Sequence, residues 1–146
     1  MKPKFYGVLV MALAGMAIII ASIVIFIKSL ILGFLYLGIL SIAAPAVIYV
    51  FCAKCSHKKD CPHVLPGKAA LLINRVRGPY TKTEITAVII AFLLIIGTPQ
   101  FWLWNHFISL ITFWSLIIIS LILIPLKLCF YCDNKFCPLH NNINIE

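Results

Sequence analysis

Six cysteines and three of the four histidines of this 146-residue chain fall in two short stretches. The first reads Cys52-Ala-Lys-Cys55-Ser-His-Lys-Lys-Asp-Cys61-Pro-His63, the second Cys129-Phe-Tyr-Cys132-Asp-Asn-Lys-Phe-Cys137-Pro-Leu-His140. Each has a C-x2-C pair, a polar spacer, then Cys-Pro with a histidine shortly after. Thiolates three residues apart, a third beyond a turn and a nearby imidazole are enough to surround a tetrahedral ion without a large fold. The candidate ligands are therefore Cys52, Cys55, Cys61 and His63 in one site and Cys129, Cys132, Cys137 and His140 in the other. Alternatively, the two C-x2-C pairs share one ion between four thiolates. His57 reads as a solvated loop residue.

Zinc and an iron–sulfur centre both fit this donor set, and the sequence leaves the choice open. A terminal Cys-Pro is similar to the end of bacterial ferredoxin cysteine runs, although the spacer here is longer and each stretch has only three cysteines. Redox chemistry at the C-x2-C pairs is a further reading. Each pair follows the end of an apolar helix, where the helix dipole disfavours a thiolate, with Lys54, Lys58, Lys59 and Lys127 offsetting this in part. Structural disulfides require an oxidising compartment, which the charge pattern argues against.

The elements that must hold these stretches are almost pure hydrocarbon. Hydrophobic residues make up 63% of the chain and charged residues 11%, against about 25% charged in a soluble domain. Four apolar blocks, 5–27, 30–51, 85–104 and 107–126, approach or exceed the roughly 20 residues that cross a bilayer. The first is too long for the apolar core of a signal peptide despite the Ala12-Leu13-Ala14 pattern, so it reads as a retained span. Lys28-Ser29 permits only a tight antiparallel return, with Gly33 and Gly38 available for close helix approach and Pro45 a candidate kink. Thr81-Lys-Thr-Glu84 has the pattern of a capping box opening the third span. Residues 65–83 form a basic linker, with a short interfacial helix expected over 68–77 and ended by Gly78-Pro79. Trp102, Trp104, Asn105 and His106 suit the opposite membrane interface.

Eleven of the twelve Lys and Arg residues lie on the side that holds both ends of the chain and both cysteine stretches. The positive-inside rule then places that side, and both termini, in the cytoplasm. The net charge of +8 is explained by topology, and no basic helix interleaved with aromatics suggests nucleic acid.

The halves also repeat. Cys52 and Cys129 are 77 positions apart, as are Cys55 and Cys132, while Cys61 and Cys137 are 76 apart. The expected architecture is an all-α, four-span integral membrane domain over 1–146. Repeat one spans 1–64 and repeat two 84–146, each a hairpin followed by a Cys/His knuckle, related by a pseudo-twofold axis along the membrane normal. No phosphate loop, attached-haem motif, hydrolytic set or acidic residue within a span is present, which argues against proton pumping and against an enzyme acting alone. Two functions follow: an electron-transfer or redox-associated subunit, or a structural and assembly protein with zinc-stapled knuckles and a basic docking surface. The partners are the lipid bilayer and a cytoplasmic or membrane protein.

Overall fold

One extended residue turns the chain between its first two spans. Ser29, with φ −163° and ψ 130°, separates α1 (Pro3–Lys28) from α2 (Leu30–Val47). The computed structural model describes residues 3–55, 61, 64–73, 75–76 and 78–128. Past Pro45, α2 widens into a π turn, Ile48–Cys52, closed by the Ala53 amide donating to the Ile48 carbonyl at 2.8 Å. A short helix α3 (Val64–Leu71) follows, then α4 (Lys82–Gly97), α5 (Gln100–Leu103) and α6 (Phe107–Leu123). α6 also ends in a π turn, Ile124–Leu128, containing Pro125. Four helical runs, Lys4–Lys28, Leu30–Cys52, Lys82–Leu103 and Phe107–Leu128, are long and apolar enough to cross a membrane. They coincide with the four blocks expected from the sequence to within a few residues.

α1 is the central helix, packed against α2 on one side and α6 on the other, while α4 packs on the far flank of α2. Because lipid tails are as apolar as leucine, close fit rather than hydrophobicity must join these helices. α1 supplies that fit with small residues: Gly7, Ala17 and Ala21 are buried along one stripe with Val10 and Val24. The larger Phe113 and Ile117 of α6 are buried with this stripe, and the Ser120 hydroxyl donates to the Val10 carbonyl at 3.4 Å. At the end away from the cysteines, Tyr36, Leu103, Phe113 and Ile25 form the core, with Ile96 and Trp102 packed against it.

Each expected hairpin fares differently. α1 and α2 pack directly, whereas α4 and α6 are joined through α5, which fills the space between them and lies against α1. The main packing partner of α6 is α1 rather than α4.

Gly33 and Gly38 also differ. The Phe26 ring occupies the place where a Cβ on Gly33 would stand, whereas Gly38 faces open space. Close approach thus depends on Gly33 alone of the two. Gly33→Ala should destabilise the protein by about 1–3 kcal/mol through overpacking, and Gly38→Ala should be near neutral. Unfolding of both variants in mixed micelles checks this.

Pro99 cannot donate to the Ile95 carbonyl four residues back, which would leave that oxygen orphaned within hydrocarbon. The Tyr36 hydroxyl donates to it instead, at 3.0 Å. Tyr36→Phe should cost about 1 kcal/mol. In the Pro99→Ala background, where an amide can serve the same carbonyl, that cost should largely disappear. A double-mutant cycle measures the difference.

Candidate functional site

The first cysteine stretch begins inside the π turn rather than after it. Cys52 is the last residue of that turn, and Ala53, fully buried with φ −68° and ψ −24°, continues the right-handed path. The Cys55 amide then donates to the Cys52 carbonyl at 3.2 Å. A turn closed this way sets residues i and i+3 on one side of the backbone, as chelation by a C-x2-C pair needs. Cys52, Cys55 and Cys61 are half-buried thiols without disulfide bonds. Cys61 and Cys55 lie within electrostatic reach of Cys52. Even so, among the described residues no three His, Cys, Asp or Glu side chains are gathered closely enough to surround an ion. His63, His57 and the whole second stretch, Cys129, Cys132, Cys137 and His140, lie outside the described residues.

Around the C-x2-C turn stands an ionic cluster that the sequence reading did not anticipate. The expected capping box is formed. The Thr81 hydroxyl accepts the Glu84 amide, and the Glu84 carboxylate accepts the Thr81 amide at 2.7 Å. The same carboxylate takes two further partners. Lys54, in the middle of the C-x2-C turn, donates to its two oxygens at 3.0 and 2.8 Å, and Arg75 pairs with it at 2.5 Å. Glu84 and Lys54 side chains are each only 13% exposed. One sequence signal pointed here: Glu84 is the single acidic residue between Asp60 and Asp133, set among many cations.

Arg75 and Tyr80 also close the end of the second span. The last carbonyls of a helix lack intrahelical donors, and a cation there is favoured by the dipole. Arg75 Nη1 donates to the Tyr49 carbonyl at 2.9 Å and to the Val50 carbonyl at 3.3 Å, with the guanidinium 4.8 Å from the Tyr49 ring centroid. The Tyr80 hydroxyl donates to the Phe51 carbonyl at 3.0 Å, and its ring stacks on Phe51 at 4.8 Å.

These contacts correct the expected linker helix. α3 runs over Val64–Leu71 rather than 68–77, and its end is tightened by the Leu72 and Ile73 amides donating to the Ala69 and Ala70 carbonyls. The chain then leaves the helix so that Arg75 can reach both Glu84 and the π-turn carbonyls. α3 buries Gly67 and Ala70 and leaves Leu65 and Lys68 outward, and Leu72 just past its end is 89% exposed.

The cluster also alters the case for dithiol chemistry. Lys54 is committed to Glu84, and Lys127 sits 5.8 Å from the Tyr6 ring centroid. Neither is poised solely to stabilise a thiolate. At the opposite end His106 is exposed at the N-cap of α6, as an interface residue would be. Compared with known protein families, curated proteins and solved structures, the chain matches none.

Arg75→Ala removes the donor to two helix-end carbonyls. Amide exchange over Phe51–Ala53 should then quicken about fivefold, the equivalent of roughly 1 kcal/mol at a helix terminus. Hydrogen exchange read by mass spectrometry on the micellar protein is the check.

Proposed function

We propose that this polytopic membrane protein carries two thiolate-rich metal centres at its cytoplasmic face. Cys52, Cys55, Cys61 and His63 hold one, and Cys129, Cys132, Cys137 and His140 hold the other. The observation that carries this reading is the Cys52–Cys55 turn, closed by the Cys55 amide at the end of the π helix. Its sequence counterpart begins at Cys129, directly after the second π turn, Ile124–Leu128. The repeated spacing and the matched π turns support a duplicated two-span unit. Residue placement supports the orientation, since eleven of twelve cations fall on the cysteine side.

A soft, thiolate-rich donor set suits iron–sulfur clusters as well as zinc. With clusters, the protein is an electron-transfer subunit passing electrons between a cytoplasmic partner and the membrane. With zinc, the knuckles staple helix ends and present a basic docking surface. The ionic cluster favours the staple, because it already ties the first C-x2-C turn to the start of α4.

Metal and sulfide analysis of anaerobically purified protein, with its absorption spectrum, tests both. Iron with near-equal sulfide supports the redox role, and zinc without sulfide overturns it in favour of the staple. Protein with neither overturns the metal reading. Cys55→Ser and Cys132→Ser should each release about half of the bound metal. Under the staple reading each should also lower thermal stability, because metal-binding energy is folding energy in such loops.

A further inference from the structure

We propose that Glu84 is the positioning residue of the first metal centre, acting through Lys54 on the turn that presents Cys52 and Cys55. This rests on the reading of Cys52, Cys55, Cys61 and His63 as metal ligands.

The turn is clamped on both sides of Cys52. Before it, Arg75 and Tyr80 hold the carbonyls of Tyr49, Val50 and Phe51. After it, Lys54 is held by both oxygens of Glu84, and Glu84 holds Arg75 as well. A single carboxylate, itself fixed by the Thr81 cap, thus connects the residues preceding Cys52 to the residue between the two cysteines. Freezing a ligand turn before the ion arrives removes part of the ordering cost of binding. Groups that orient ligands in this way typically change metal affinity 10–100-fold when removed.

Charge alone predicts the opposite sign. Three thiolates and an imidazole around a divalent ion carry a net charge of −1, and the Lys54–Glu84–Arg75 cluster carries +1. Removing the Glu84 charge would leave more positive charge beside the thiolates and would tighten binding. Removing a positioning contact loosens it. In the cluster the Lys54 and Arg75 side chains are 13% and 24% exposed; without Glu84 these long side chains swing out to water, where screening reduces what their freed charge can contribute.

Glu84→Gln separates these roles from the helix cap, since glutamine also completes a capping box. The full-length chain in detergent micelles, carrying Cys132→Ser so that only the first centre is complete, is titrated with Co(II). Thiolate-to-cobalt charge-transfer bands report binding. Glu84→Gln should bind Co(II) about tenfold more weakly, with the helix content of the metal-free protein unchanged and its thermal stability lowered by loss of the ion pairs. Thr81→Val, which removes the cap hydroxyl but leaves the ion pairs, should bind as the parent does. Equal or tighter binding by Glu84→Gln overturns the positioning role while leaving the metal centre standing. A parent that shows no charge-transfer bands overturns the metal reading, and this inference with it. If Cys132→Ser fails to fold, the same comparison is made in the unsubstituted chain, where Glu84→Gln should weaken one of two binding phases and unshifted phases overturn the proposal.

Discussion

A chain in hydrocarbon has no water to complete its backbone hydrogen bonds, and the rest of this structure depends on that constraint. Where a helix stays regular, it satisfies itself. Where proline interrupts it, another part of the protein must intervene. Pro99 leaves the Ile95 carbonyl without its usual donor, and Tyr36 from the neighbouring span provides one. That single bond ties α2 to α4 at the end away from the cysteines, and it places Tyr36 at the centre of the core. Polar contact here serves to join helices as well as to satisfy a carbonyl.

The same constraint operates in wetter surroundings at the cysteine end. The second span finishes in a π turn whose last carbonyls are met by Arg75 and Tyr80, both from the linker before α4. Glu84 gathers Arg75 and Lys54 while also capping α4. Helix termination, linker path and cysteine presentation are therefore one connected arrangement. The linker helix ends at Leu71, and Arg75 beyond it bonds the π-turn carbonyls and Glu84. Leu65 of α3 and Leu72 just past its end are exposed at this end.

Much of this was legible in the residues. The four spans were, because uninterrupted apolar runs of that length have few alternatives. The capping box was, because Thr81 and Glu84 are three residues apart and interact within one helical turn. The ionic cluster was not, since Lys54 and Glu84 are separated by 30 positions and meet only through the packing of α2 on α4. The extent of α3 was misplaced because its apolar pattern continues to Val76, while the competing bonds of Arg75 are long-range. Gly33 and Gly38 look alike in sequence, and only the Phe26 ring distinguishes them.

The order of the helices belongs to the same class. A short connection made antiparallel return certain for α1 and α2, and nothing comparable specified the partner of α6. Span number and span limits were determined by the sequence alone, because hydropathy and capping act within a few residues. Which helix lies beside which, where Glu84 finds its cations and which oxygen Tyr36 serves were decided only by the tertiary structure. Between helices immersed in lipid, association rests on shape and on a few polar bonds, and neither is written in the apolar pattern.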